Sequence, residues 1–453
     1  MRSILCLLLM LPMITIVGQN DLPLALDDRL YDIIDHCSVD RIQTDITKLA
    51  SFGTRHTLSD TISETRGIGA ARRWIKAEFD NISNDCGGCL EVSYLSDVVP
   101  AGESRRIPEP TNIVNVLAIK RGSIYPDRYI IMSGDIDSRI SDPLNSVDDS
   151  PGANDNASGM AGVIEAARVL SQYDFASSII FVGLSGEEQG LFGGKIMAQK
   201  AKADSIDIIG IINNDMIGNI AGIDGVIDNQ SFRIFSEAAP PDENEQKRIW
   251  KRFYGGEVDG ISRQLARYIH QKVTDYMPQM NPIMIYRLDR FGRGGHHRPF
   301  NDAGYAGVRI MEAHENYDQQ HQDIRIEDGI EYGDRLKHVN FDYATKLTAV
   351  NAISLASIAW APPPPSGLMI GGAVRPSTRL KWDSSDDPHI IGYKIYWRDT
   401  TSPQWQYSRY VGKVDDYTLA NVVIDNYLFG VAAVSADGHE SIVSFPTTLI
   451  PRR

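Results

Sequence analysis

The pattern that most constrains the fold begins at Asn112. From there on, short apolar runs alternate with amphipathic segments along the chain. Short apolar runs are typical of buried strands, whereas apolar residues at helical spacing are typical of amphipathic helices. Strands that alternate with helices predict an α/β domain with a mostly parallel mixed sheet and helices on both faces. The predicted strands cover 113–119, 129–132, 178–184, 208–212 and 308–311, and the predicted helices cover 27–50, 64–82, 158–170 and 193–203.

A proline-rich stretch at 361–366 divides the chain. Consecutive prolines favour a stiff, extended conformation that is common in linkers. Residues 367–453 carry strand patterns with tryptophan and tyrosine residues, and they resemble a fibronectin type III domain. We therefore expect a main domain over 19–360 and a C-terminal all-β sandwich. Within the main domain, the polar stretch 220–285 contains a predicted helix at 261–276 and is expected to be an insertion that walls or caps a binding cleft.

The first residues predict export. Arg2 precedes an apolar run at 4–17, which has the length of a signal-peptide core and is shorter than a membrane span. We expect cleavage near Gly18, so that 1–18 is a signal peptide and the mature protein is secreted or periplasmic. An uncleaved membrane anchor is the alternative. No later run approaches the roughly 18 apolar residues that a span requires, so no stable membrane insertion is expected.

The cysteines suggest one small covalent staple. In an exported protein, the sequence Cys86-Gly-Gly-Cys89 is flexible enough to close a local disulfide. Cys37 is then expected to be buried and unpaired.

The net charge limits the class of partner. The chain carries a formal charge of −14, whereas nucleic-acid binding requires a clustered excess of lysine and arginine. We therefore expect no nucleic-acid partner.

Acidic residues recur just after the predicted strands. Asp135 and Asp137 follow one strand, Glu187 and Glu188 follow the next, and Asp215 follows a third. In an open α/β sheet the carboxyl ends of the strands form the ligand crevice, so these carboxylates are expected to converge. Converging carboxylates repel one another, and divalent cations are the natural compensation. The residues alone therefore predict a metal site.

Four ordered motifs carry a family resemblance. They are Ser150-Pro-Gly-Ala-Asn-Asp-Asn-Ala-Ser-Gly159, Ser185-Gly-Glu-Glu-Gln-Gly190, Asn214-Asp-Met-Ile-Gly218 and Glu315-Asn-Tyr-Asp-Gln-Gln-His321. Together they resemble the M28 family of zinc aminopeptidases over roughly residues 110 to 345. The resemblance implies a metal-dependent exopeptidase that hydrolyses N-terminal residues of peptides. Peptides are thus the expected substrates.

Carried over residue by residue, the resemblance implies two divalent metal ions, with zinc as the expected ion. Paired metal ions acidify a water molecule and polarise the scissile carbonyl. A glutamate beside the metal accepts the proton of that water and delivers it to the leaving amine. The implied residues are Asp155 as the bridging ligand, Glu188 and His321 on one ion, Asp135 and Asp215 on the other, Glu187 as the general base, and Asp137 as a carboxylate that orients the ligands.

One position departs from the family pattern. The family usually has histidine where this chain has Asp135, within a His-x-Asp sequence. The second ion would then have only oxygen ligands, from Asp135, Asp155 and Asp215. Such ligands shift the preference toward Mn²⁺ or Mg²⁺. We expect a working but retuned site.

Several histidines compete with the predicted ligand. The family has an aromatic residue shortly before its last histidine, which favours His321 over Asp318 or His314. His296 and His297 lie in a glycine-rich loop, where they either line the cleft or are simply solvated.

Two other functions compete with the exopeptidase. A glutaminyl cyclase-like acyltransferase would use one metal and a similar Asp, Glu and His set, but Glu187, Glu188 and Asp215 favour the two-metal hydrolase. A non-catalytic binding protein on the same scaffold would be supported by loss of Glu187 or Asp155, and both are present. The sequence leaves open the side-chain preference, carboxypeptidase or dipeptidase action, and the oligomeric state.

Overall fold

The computed structural model describes residues 26–451, except 242, 255, 257 and 258. The predicted signal peptide at 1–18 lies outside the described residues. Within the described part of the chain, no helix is both long and apolar enough to cross a membrane.

The main domain is built on an eight-stranded mixed sheet with the strand order β1-β2-β4-β3-β5-β8-β6-β7. The four central strands run parallel, and antiparallel pairs flank them on both sides. The predicted mostly parallel mixed sheet is therefore confirmed. The strands are β1 Leu90–Val99, β2 Thr111–Lys120, β3 Tyr125–Asp135, β4 Ser177–Leu184, β5 Asp207–Asn214, β6 Ser231–Ser236, β7 Asn281–Ile285 and β8 Gly307–Glu312.

Helices cover both faces of this sheet. Side chains alternate along a strand, so Ile130 and Ile131 of β3 enter two different hydrophobic cores. This explains why the central strands are continuous apolar runs, as in β4, where all eight residues are buried. The helices are α1 Asp28–His36, α2 Val39–Ala50, α3 Gly67–Asp85, α4 Gly159–Leu170, α5 Glu187–Gly190, α6 Phe192–Ala203, α7 Glu245–Tyr254, α8 Ile261–Tyr276, α9 His297–Asp302 and α10 Phe341–Trp360.

The segment 220–285 does not wall the cleft as expected. Its described residues contribute none of the cleft lining. Instead β6 pairs antiparallel with β8, and β7 pairs parallel with β6, so the segment extends the sheet at one edge. Helix α8, predicted at the observed residues, buries Leu265 and Ile269 in the larger core. The segment is thus part of the main domain, because the apolar face of α8 is buried in the core of that domain.

Beyond 361–366, the chain forms two small sheets around a core that contains Trp382 and Ile395. The resemblance to a fibronectin type III domain stays a prediction. This region contacts the main domain through buried Asp259, which accepts hydrogen bonds from Arg267 of α8 at 2.5 Å and from Arg398 at 2.7 Å. The strands of this C-terminal region are β11 Met369–Gly371, β12 Thr378–Lys381, β13 Gly392–Asp399, β14 Tyr407–Gly412, β15 Asp416–Leu419, β16 Tyr427–Val434 and β17 Thr448–Leu449. The main domain also contains a short hairpin of β9 Arg325–Glu327 and β10 Ile330–Tyr332.

The predicted staple is present. Cys86 and Cys89 form a disulfide just after α3. The two glycines between them have positive φ angles, which an L side chain adopts only with strain. Cys37 is half-buried rather than buried.

Candidate active site

The register of the central strands brings the predicted acidic residues together. Asp135, at the end of β3, lies opposite Leu184 of β4, and its neighbour Gly134 lies opposite Asn214 of β5. The carboxyl ends of these strands therefore meet at one edge of the sheet. A cleft of about 610 Å³ opens there, and Asp155, Glu187, Glu188, Asp215 and His321 are among its lining residues.

Three of the predicted ligands form a tight group, here called the first half of the site: Asp155, Glu188 and His321. Their ligand atoms all lie within 4.8 Å of one another, and no other group of three such side chains in the described residues meets this distance. Nε2 of His321 lies 2.8 Å from Oε1 of Glu188 and 3.0 Å from Oδ2 of Asp155. Zinc binds such atoms at about 2.0–2.2 Å, and catalytic zinc has three protein ligands and one open position. The first half therefore fits a zinc ion.

The remaining predicted ligands form the second half of the site: Asp135 and Asp215, with His296 and Arg309 as their partners. Oδ1 of Asp135 lies 2.5 Å from Nδ1 of His296, and Oδ2 accepts a hydrogen bond of 2.7 Å from Asn156. Oδ2 of Asp215 lies 2.9 Å from a guanidinium nitrogen of Arg309. All four residues of the second half are buried. In this arrangement the second half does not fit a second metal ion, because both oxygens of Asp135 have partners, Arg309 pairs with Asp215, and no three ligand atoms of the described residues converge there.

Charge partners explain the pKa shifts in the first half. Burial opposes ionisation of Glu188, but attraction to His321 outweighs it and lowers the pKa of Glu188 to about 2. Burial likewise opposes the charged form of His321, but Glu188 and Asp155 raise its pKa to about 9. The first half therefore favours a cation among its two carboxylates.

In the second half, burial dominates. It raises the pKa of Asp135 well above its usual range, with further repulsion from Asp137. Burial also raises the pKa of Asp215, although the Arg309 guanidinium opposes the shift. The same loss of solvation lowers the pKa of His296 to about 4.

Asp137 positions the turn that carries the two glutamates. It accepts hydrogen bonds from the backbone nitrogens of Glu187 at 3.1 Å and Glu188 at 3.0 Å, which lie at the start of α5. A third hydrogen bond comes from the hydroxyl of Thr57 at 2.9 Å. The predicted orienting residue thus contacts the glutamates through their backbone.

Glu187 lies between the two halves and faces the cleft. The side chain is half-buried, and its backbone is fixed by Asp137. Burial, with repulsion from Glu188 and Asp215, raises the pKa of Glu187 well above its usual range. A carboxyl group with a raised pKa is suited to proton transfer near neutral pH.

The loop that carries Asp155 is held by residues that the sequence analysis missed. Asp334 accepts hydrogen bonds from the backbone nitrogens of Asn154 and Asp155. Arg55, for which the sequence suggested only a packing or surface role, is buried and donates to the carbonyls of Ile136 and Gly152. A buried arginine needs several acceptors, and here it ties this loop to the end of β3.

The residues that competed with His321 as the predicted ligand lie outside the first half. His314 lies 2.8 Å from Asp224, away from the first half. Asp318 is absent from both the first half and the cleft lining. His297 is buried, with Nε2 2.7 Å from the carbonyl of Leu288. Neither His296 nor His297 is solvated or lines the cleft, since both side chains are fully buried.

Two arginines of the site were also missed. Arg139 lies 2.6 Å from Oε2 of Glu188, and another of its nitrogens lies 2.6 Å from Nδ1 of His321. Arg309 lies between the apolar residues Val308 and Ile310 inside the buried strand β8. A charged residue inside a buried strand requires a buried counter-ion, and that signal could have revealed the pair with Asp215.

Comparisons with known proteins identify a family. Residues 115–333 match the family model described as Peptidase family M28. A probable zinc metalloprotease of Pyrenophora tritici-repentis is 39% identical over 425 residues, which cover 93% of this chain and 98% of that protein.

Solved structures share the fold. The Legionella pneumophila LapA aminopeptidase superposes with a TM-score of 0.54 at 18% identity, over 74% of this chain and 75% of that chain. A glutaminyl cyclase of Macrostomum lignano superposes with a TM-score of 0.50 at 13% identity, over 72% and 91% of the two chains. At these identities the likeness concerns the fold alone.

Proposed function

The chain belongs to peptidase family M28 and is a zinc metalloprotease, and from that premise we propose that it is an exported aminopeptidase that removes N-terminal residues from peptides. The observation that carries the proposal is the convergence of Asp155, Glu188 and His321 on the cleft, beside Glu187. The aminopeptidase fold of the structural neighbour supports it.

We propose that the first half holds the zinc ion. When bound, zinc supplies a Lewis acid that polarises a carbonyl group and lowers the pKa of a water molecule. Glu187 accepts a proton from the attacking water and donates it to the leaving nitrogen, a role for which its raised pKa is suited. Asp137 keeps the Glu187 backbone in place during both transfers.

The shape and charge of the cleft favour an exopeptidase. A volume of about 610 Å³ is typical of a pocket for a small ligand and would hold only a few residues of a peptide. The carboxylates of Asp155 and Glu187 are among its lining groups. A carboxylate in the lining attracts the positively charged amino group of a peptide N-terminus.

The number of metal ions is part of the proposal. We propose one tightly bound zinc ion rather than the two that the family resemblance predicts. Arg309 supplies the positive charge that a second ion would bring to Asp215, and both oxygens of Asp135 have partners. Binding of Mn²⁺ or Mg²⁺ beside Asp135 stays a prediction of the sequence.

A glutaminyl cyclase-like acyltransferase is the second candidate. The three-ligand Asp, Glu and His group favours it, since such an enzyme would need one metal ion and a similar set. Incubation with a peptide that begins with glutamine separates the two. An aminopeptidase releases glutamine, whereas a cyclase releases ammonia and leaves the peptide length unchanged.

The substitution Glu187→Gln tests the proposed base. We expect hydrolysis of aminoacyl and dipeptide substrates to fall by about 10²- to 10⁴-fold, because the amide cannot accept the proton. The zinc content of the purified variant, measured by plasma mass spectrometry, should stay at the wild-type level. Glu109→Gln, at an exposed glutamate outside the cleft lining, is the matched control. Unchanged turnover in Glu187→Gln would remove Glu187 from the mechanism.

A further inference from the structure

Three cationic side chains of the cleft lining lack an acidic partner among the described residues and are here called the basic rim: Arg106, Lys195 and Arg293. All three line the cleft. Lys195 and Arg293 are exposed, and Arg106 is half-buried. Among the described residues, none of the three has a carboxylate partner within 4.0 Å, since every ion pair at that distance involves other cations.

The cations deeper in the site differ from the basic rim. Arg139 is paired with Glu188 at 2.6 Å, Arg290 with Glu315 at 2.8 Å, and Arg309 with Asp215 at 2.9 Å. These pairs neutralise charges that burial would otherwise penalise. The basic rim neutralises no acidic side chain, so its charges remain available to a ligand.

The contacts of the basic rim place it beside the proposed zinc ligands. Arg106 donates a hydrogen bond to the backbone carbonyl of Glu188. A guanidinium nitrogen of Arg293 lies 3.5 Å from Nδ1 of His321. Nζ of Lys195 lies 4.8 Å from the centre of the Phe192 ring, a cation–π contact. A group bound by the rim would therefore lie close to the bond that is cleaved.

The cleft lining thus combines the buried carboxylates of Glu188 and Asp215 with the exposed cations Lys195 and Arg293, while the exposed Asp302 is paired with Arg298 at 3.9 Å. This is unexpected in a chain with a net charge of −14, whose surface repels anions overall. Charges that line a cleft with low-dielectric walls focus the field and raise the local concentration of ligands of opposite charge. A short peptide has the matching polarity when its amino group enters first and a carboxylate follows.

We propose that the basic rim binds a substrate carboxylate, so that the preferred substrates are short peptides with a carboxylate within one or two residues of the scissile bond. Guanidinium groups bind carboxylates through two parallel hydrogen bonds, which gives both affinity and orientation. The carboxylate comes from either the C-terminus of a dipeptide or an acidic side chain. This inference rests on the proposed peptidase function and adds its substrate class.

Four dipeptide substrates test the proposal with the zinc-loaded full chain. They are Leu-Gln-amide without a carboxylate, Leu-Gln with only the terminal carboxylate, Leu-Glu-amide with only the acidic side chain, and Leu-Glu with both. We expect kcat/KM to rise about tenfold over Leu-Gln-amide for at least one single-carboxylate peptide. Whichever peptide gains identifies the source of the carboxylate. Equal values for all four would overturn the inference and leave the peptidase function intact, whereas cleavage of none would overturn both.

Charge variants then locate the effect. Arg293→Glu should abolish the preference for carboxylate-bearing peptides and favour Leu-Lys-amide instead. Lys202→Gln removes an exposed charge from α6, the same helix as Lys195, outside the cleft lining, and should keep the wild-type preference. A full carboxylate preference in both Arg293→Glu and the triple variant Arg106→Gln, Lys195→Gln, Arg293→Gln would show that the rim does not bind the substrate.

Discussion

The two halves of the site contain similar carboxylates but differ in what neutralises them. In the first half, the imidazole of His321, a side chain that can lose its proton and bind zinc, lies against both Asp155 and Glu188, and the second oxygen of Glu188 is also paired with Arg139. In the second half, Asp215 is paired with Arg309, whose guanidinium keeps its charge at any accessible pH. The first half thus brings three ligand atoms together, one of them on a ring that can exchange its proton for a metal ion. In the second half, Arg309 pairs with Asp215, and both oxygens of Asp135 have hydrogen-bonding partners. The predictions below test this difference.

The largest expected effect is the loss of zinc when the first half is broken. His321→Ala removes one of three protein ligands, and we expect zinc affinity to fall at least about a hundredfold. The measurement is a competition titration with a chelator of known affinity. His314→Ala removes a histidine that pairs with Asp224 instead and should leave the affinity unchanged. Equal affinities in the two variants would show that zinc binds elsewhere.

Breaking the ion pair of the second half should lower the free energy of unfolding rather than the zinc affinity. Arg309→Met leaves the buried Asp215 and Asp289 without their shared cation, and removal of one partner from a buried ion pair costs about 3–5 kcal/mol. We expect the free energy of unfolding in urea to fall by roughly this amount. Arg325→Met, at an arginine paired with an exposed glutamate, is the control and should unfold like the wild type.

The effect of added zinc on the stability of Arg309→Met sharpens the same test. Once the guanidinium is gone, Asp215 needs another cation, and added zinc should restore part of the lost stability. A variant as stable as the wild type would mean that Arg309 does not neutralise the second half.

The smallest effect is a dependence of zinc affinity on pH. In chelator-treated protein the pKa of His321 is raised to about 9, so at neutral pH zinc must displace a proton from the ring. Zinc affinity should therefore rise with pH, by about tenfold per unit below 9, and level off above it. Titrations between pH 6 and 9.5, corrected for the chelator, would measure this. An affinity independent of pH would contradict the proposed role of His321.

The sequence predicted the site residues that directly follow a strand in the chain. Acidic residues at strand ends identified Asp135, Glu187, Glu188 and Asp215, because parallel strands must end at one edge of the sheet. His321 required the family resemblance, since it lies in a loop without a periodic pattern.

The partners of these residues depend on contacts between distant segments and were missed. Arg309 reaches Asp215 because β8 pairs with β5 in a register that sets Arg309 opposite Asn213, two residues before Asp215 on the same face. His296 reaches Asp135 through an irregular loop, whose path depends on packing rather than on local preference. Neither register nor loop path follows from hydrophobic periodicity.

The number of zinc ions per chain tests the difference between the two halves most directly. Protein expressed in zinc-supplemented medium would be dialysed without chelator, and its zinc measured by plasma mass spectrometry against an amino-acid analysis of the same sample. We predict one zinc ion per chain, lost in His321→Ala and kept in Asp215→Asn. Two zinc ions per wild-type chain, with one lost in Asp215→Asn, would show that the second half binds metal and that Arg309 does not replace it.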